Sequence, residues 1–112
     1  MTRQQCRIRA LPQFEKDLEN ASKYISEVLC NEAAANILIE EIKDAIVKRS
    51  SFPLLFRPYP LKKRPKDAYY PIYVRNYIIF YVVIGDVMEI RRLLYKRRKI
   101  SRILNDKKEE KI

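Results

Sequence analysis

The sequence predicts a single α+β domain in the order β-α-α-β-β-β, a helical hairpin packed on one face of an antiparallel sheet, with a short C-terminal helix allowed. Three observations predict it. Two apolar stripes at helical spacing follow one another between residues 13 and 50. Aromatic and β-branched runs fill residues 69–95. The dipeptides Arg75-Asn76 and Gly85-Asp86 divide those runs at hairpin distance. A chain of 112 residues supports one core and not two. Residues 1–105 are assigned to that domain, and residues 106–112 to a charged tail expected to fray.

Each element has its own reason. Cys6-Arg7-Ile8-Arg9-Ala10-Leu11 alternates polar and apolar in the period of a half-buried strand. Pro12 ends it and suits the first turn of a helix. Phe14, Leu18, Ala21, Ile25 and Val28 recur at spacings of four and three, which predicts a first helix over about 13–29. Asn31 is the expected N-cap of a second helix, whose apolar positions are Ala35, Leu38, Ile42, Ala45 and Ile46. Ser50-Ser51-Phe52-Pro53 stops it, because the residue before proline avoids helical dihedrals.

Residues 53–68 carry Pro53, Pro58, Pro60 and Pro65 among cations, a composition expected to stay as a solvated loop. Strands are expected over 69–74, 77–84 and 88–95. The second of these is apolar on both faces and is expected at the buried centre of the sheet. Residues 97–105 suit a short basic helix anchored by Ile100, Ile103 and Leu104.

Net charge is +10 and lies in one half. Residues 1–56 hold eight Lys or Arg against eight Asp or Glu, whereas residues 57–112 hold sixteen against six. Such asymmetry favours nucleic acid, the ribosome, anionic lipid or an acidic protein as partner. Several chemistries are excluded. Without histidine there is no Ser-His-Asp triad and no histidine-ligated metal. The single glycine leaves no phosphate-binding loop. Cys6 and Cys30 form no metal-ligand spacing and are expected as reduced, partly buried thiols. No metal and no cofactor is implied. The longest apolar run has eight residues, against the roughly 20 that span a membrane. No membrane partner is expected, and the expected compartment is the cytoplasm.

Several stretches together resemble the toxins of the RelE/ParE superfamily from bacterial type II toxin-antitoxin pairs. They are Phe14-Glu15-Lys16-Asp17-Leu18 with Tyr24-Ile25, then Ala33-Ala34-Ala35 and Phe52-Pro53, then the run from Tyr70 to Tyr81. Ile90 to Tyr95, Lys96-Arg97-Arg98 and Ile103-Leu104 complete the match, which covers nearly the whole chain. The resemblance implies a toxin neutralised by a cognate acidic antitoxin encoded beside it.

The superfamily's enzymatic branch cuts messenger RNA on the ribosome, with two alternating basic residues on the second strand and an arginine on the third. Here those places hold Pro71, Tyr73 and Ile78. Only the basic end of that site remains, as Arg97 or Arg98, and the aromatic expected shortly after is replaced by Ile103 or Leu104. The long paired helices also look more like the ParE branch. The resemblance therefore implies inhibition of DNA gyrase, with ribosome-dependent cleavage of mRNA as the alternative and a non-toxic nucleic-acid-binding module as a third reading.

The expected target-binding residues are Arg91, Tyr95, Lys96, Arg97, Arg98 and Lys99. Tyr73, Arg75, Tyr95, Arg97 and Arg98 are the catalytic candidates if the chain is a nuclease, since tyrosine stacks on bases and arginine binds phosphates. About half of the strand tyrosines are expected in the core. Arg91 and Arg92 alternate in direction, so one of them is expected to point toward the helices or sit at the sheet edge, where an ion pair with Glu40, Glu41 or Asp44 would be its structural explanation. Lys62, Lys63, Arg64 and Lys66 form a loop cluster that suits a phosphate or antitoxin contact, or equally plain solvation.

Overall fold

The computed structural model describes residues 6–61 and 66–105. Its elements are β1 (Arg7–Ala10), α1 (Pro12–Lys23), a π-helical turn (Tyr24–Val28), α2 (Glu32–Arg49), β2 (Tyr70–Val74), β3 (Tyr77–Ile84), β4 (Val87–Tyr95) and α3 (Ile100–Leu104). The expected order and helical hairpin are present. One sheet runs β1-β4-β3-β2, so β3 and β4 share its centre. The strands β2, β3 and β4 are antiparallel as expected, whereas β1 pairs with β4 in parallel and makes the sheet mixed. As the outermost strand β1 stays exposed at all four residues, without the half-burial its alternation suggests.

The helices form for local reasons. Pro12 opens α1 where a backbone N–H would have no acceptor. The widened turn that follows brings the Leu29 N–H to the Tyr24 carbonyl at 3.1 Å and shifts the helical phase. Val28 consequently leaves the apolar face and is 64% exposed. Cys30 ends the segment at φ +52° and is also exposed, unlike the partly buried Cys6. Asn31 caps α2 as expected, its Oδ1 accepting the Ala34 N–H at 3.0 Å. Lys48 and Arg49 occupy the last turn of α2, where cations complement the helix dipole.

Both faces of the sheet are covered. Phe14, Ala21, Leu38, Ile42 and Ile46 from the helices pack on Ile72, Val74, Ile79, Tyr81, Met88, Ile90 and Leu93. On the opposite face Ile78, Phe80, Val82 and Leu94 are covered by Ile100 and Leu104 of α3 together with Tyr69, Tyr59 and Leu61. The proline-rich loop, expected to be solvated, thus contributes to a second core. The ring of Tyr59 meets Phe80 edge-on at 5.1 Å.

A bulge interrupts the central pair. Phe80 faces Arg92 but Tyr81 faces Ile90, which leaves Arg91 without a cross-strand partner. Ile90 and Leu93 therefore both reach the helix-side core although they are three residues apart. On its other side, β1 covers β4 as far as Ile90, whose carbonyl accepts the Leu11 N–H at 3.0 Å. Beyond that point α1 takes over. Asp17 accepts the Leu93 N–H at 3.0 Å and the Arg92 Nε at 2.8 Å.

Candidate functional site

Where β4 ends, backbone hydrogen bonds fix the next turn. The Lys96 N–H donates to the Asn76 carbonyl at 2.8 Å, Arg98 N–H to the Tyr95 carbonyl at 2.9 Å, and Ile100 N–H to the Arg98 carbonyl at 2.8 Å. The turn is bracketed by β4 and by α3, which buries Ile100 and Leu104. Lys96, Arg97, Arg98 and Lys99 are all exposed. Among the described residues no carboxylate pairs with any of them. Four consecutive exposed cations, with no carboxylate partner among the described residues and on a backbone held at both ends, form a positive patch.

Aromatic rings stand beside it. Tyr95 lies opposite Tyr77, the ring centroids 5.7 Å apart and the planes at 71°. Burial raises the Tyr77 phenol above its ordinary range, and the neighbouring Tyr95 and Tyr24 phenols add to the shift. Tyr24, on the π-helical turn, is half exposed. It joins Tyr77 and Tyr95 at this corner of the molecule. Sequence reasoning missed it, although it departs from the apolar spacing of α1.

The arginines on and between the strands are engaged differently. Arg75, at φ +52° in the β2–β3 turn, reaches Glu41 of α2 through both Nε and Nη2, the latter at 2.9 Å from Oε2. This hydrogen bond, aided by the charge, holds the Glu41 carboxyl below its usual range. Arg91 donates to Glu89 at 2.9 Å, to the Tyr69 hydroxyl at 3.3 Å and to Asp67 at 3.4 Å. Its side chain is 25% exposed. Arg92 is the arginine that meets the helices, and Asp17 is its partner in place of the expected Glu40, Glu41 or Asp44. The sequence reading also passed over Glu89, which is buried and paired with Arg9 at 3.0 Å as well as with Arg91. A lone acid in an apolar strand was the available signal.

Of the predicted site residues, the fold brings Tyr95, Lys96, Arg97, Arg98 and Lys99 together. Arg91 belongs to the ion-pair network of Glu89 and Asp67, and Arg75 to α2. Tyr73 is 66% exposed and pairs with Ile78, on the face covered by α3, whereas Tyr95 and Tyr77 lie on the helix side. Pro71 offers only its carbonyl, which accepts from Arg49 at 3.0 Å. Ile78 is buried. Lys66 is exposed, while Lys62, Lys63 and Arg64 lie outside the described residues, as do residues 106–112.

The sequence matches the family described as the ParE toxin of type II toxin-antitoxin systems, parDE, over residues 8–100. A search of curated proteins finds no match. Among solved structures, the chain is similar to one of the chromosomal ParDE toxin-antitoxin system from P. aeruginosa, with a TM-score of 0.67 at 13% identity. That match covers 81% of this chain and 96% of the other. It is also similar to the E. coli DinJ-YafQ complex, at a TM-score of 0.52 and 18% identity, covering 81% and 93% of the two chains. YafQ from E. coli strain BL21(DE3) matches at the same score and identity, over 82% and 94%.

Proposed function

The chain belongs to the ParE toxin family of type II toxin-antitoxin systems, and on that premise we propose that it arrests growth by binding DNA gyrase through the cationic turn after β4. The observation that carries this reading is the row Lys96, Arg97, Arg98 and Lys99, exposed and with no carboxylate partner among the described residues, next to Tyr95. Elsewhere on the strands and the β2–β3 turn the arginines are tied to Asp86, Glu89, Glu41, Asp67 or Asp17. The turn sets four exposed cations side by side. Binding an acidic surface by this row needs no proton transfer and no bond cleavage.

The partner that neutralises the toxin is a protein antitoxin, in keeping with the toxin-antitoxin complexes among the similar structures. Its acidic character follows from the net charge of +10 it has to meet.

A second reading is cleavage of mRNA on the ribosome, and the cluster of Tyr24, Tyr77 and Tyr95 beside four cations favours it, since such rings stack on unpaired bases. The placement of Tyr73 on the opposite face of the sheet from Tyr95, and the engagement of Arg75 by Glu41, weigh against it, because general acid–base catalysis needs its groups around one reacting centre. Expression of the chain without its antitoxin decides between them. Trapped double-strand DNA breaks with intact messages are expected. Messages cut at ribosome-bound codons would replace the gyrase reading with the nuclease one. Absence of any growth effect would return the chain to a plain nucleic-acid-binding module.

A further inference from the structure

A second surface lies at the other end of β2 from the Arg75 turn. After α2 ends, Phe52, Leu54, Leu55 and Phe56 follow within five positions and remain 41%, 61%, 69% and 50% exposed. Phe52, Leu55 and Phe56, with Ile72 from β2, line a concave pocket whose rim includes Lys48 and Arg49. So concentrated an exposure of large apolar side chains costs hydration free energy in the free chain and marks an interaction surface.

The rim decides what kind of partner fits. Among the described residues no carboxylate lines the pocket. Arg49 is held in place, with its Nη1 donating to the Pro71 carbonyl at 3.0 Å and to the Tyr81 hydroxyl at 3.1 Å. Its guanidinium carbon lies 4.0 Å from the centre of the Phe56 ring. The Tyr81 hydroxyl in turn donates to the Pro53 carbonyl at 2.7 Å, which ties the loop to the sheet. A guanidinium fixed in this way, with Nε and Nη2 making no hydrogen bond to a described residue, is ready to receive a carboxylate without further loss of side-chain entropy. A second copy of this chain is a poor occupant, because it would bring another strongly positive molecule to a cationic rim.

We propose that this pocket docks a segment of the antitoxin in which large apolar side chains fill the space between Phe52, Leu55, Phe56 and Ile72 while an acidic side chain meets Arg49 and Lys48. The proposal rests on the reading of the chain as a toxin with a protein antitoxin. It adds that neutralisation and toxicity use different surfaces, since the pocket shares no residue with the turn after β4.

The test is titration of the purified chain with the acidic protein encoded beside it, paired with growth assays of the same variants. Leu55→Asp and Lys48→Glu alter exposed side chains, and circular dichroism checks that each variant is folded. The expected result is a dissociation constant raised about tenfold or more by Leu55→Asp, of the size typical of a well-packed anchor residue. Growth arrest by the variant alone should persist, and co-expressed antitoxin should no longer relieve it. Unchanged affinity of both variants, with the wild-type chain binding normally, would overturn the pocket assignment and leave the toxin reading intact. Failure of the wild-type chain to bind would overturn both. If Leu55→Asp instead abolished self-association of the toxin and left antitoxin binding unaltered, the pocket would belong to a second copy and the proposal would fall.

Discussion

Replacing Asp17 tests how the two layers are joined. Its carboxylate accepts the Leu93 N–H at 3.0 Å and two contacts from Arg92, at 2.8 and 3.3 Å, with side chains only 9% and 15% exposed. Asp17→Ala leaves the Leu93 donor without its acceptor just past the bulge, where desolvation of an unmet N–H costs about 1–3 kcal/mol. It also removes the charge opposite a mostly buried guanidinium, for which truncation of one partner costs about 3–5 kcal/mol. Arg92 keeps some solvent and a further contact, so the two effects overlap, and a total near 3 kcal/mol is expected. Asp17→Asn retains an amide oxygen for Leu93 and should lose about half of that. Urea denaturation reads both as shifts of midpoint at unchanged slope. A loss below about 1 kcal/mol for Asp17→Ala would refute the view that this carboxylate locks α1 to β4.

Other expectations concern the site and the ionisable groups. The double change Arg97→Ala and Arg98→Ala should abolish growth arrest while shifting stability by no more than about 0.5 kcal/mol, as exposed side chains with no carboxylate partner among the described residues would; equal loss of both would show the turn to be structural. Burial raises the phenol of Tyr81 above its unfolded value, so its contribution to stability is intact below about pH 10 and is lost as pH rises through the folded value. Denaturation midpoints measured across that range should fall, and fall less in Tyr81→Phe. Glu41 is shifted the opposite way by Arg75, so its stabilisation is present above the ordinary carboxylate range and disappears as pH drops through the lowered value. An NMR titration should find the Glu41 midpoint depressed in the wild type and returned to normal in Arg75→Ala.

Features encoded over a few residues were legible in the sequence. The hairpin at Gly85-Asp86, the cap at Asn31 and the two-sided burial of β3 depend on neighbours in the chain, and each is present. What was not legible depends on contacts across the fold. The bulge at Arg91 changes which side of β4 faces the helices, so strict alternation misplaces the residues after it. The π-helical turn does the same to Val28 in α1. Parallel pairing of β1 follows from where the helices return the chain, and no local pattern in Arg7–Ala10 records it.

Ion-pair partners were the least legible. Glu41 was an expected partner for Arg91 or Arg92 but lies against Arg75, while Arg92 takes Asp17, seventy-five positions away. Any of several carboxylates satisfies a sequence argument, and only the packing of α1 and α2 on the sheet selects among them. The run of residues 96–99 was conspicuous as charge from the outset. That none of these four has a carboxylate partner among the described residues is visible only once the other ion pairs are in place.

The most direct measurement is supercoiling of relaxed plasmid by purified DNA gyrase in the presence of the purified chain. The wild-type chain is predicted to inhibit it, Arg97→Ala with Arg98→Ala to lose that inhibition while remaining folded, and added antitoxin to restore supercoiling. Full supercoiling at saturating wild-type chain, in a preparation that still arrests growth, would contradict the account.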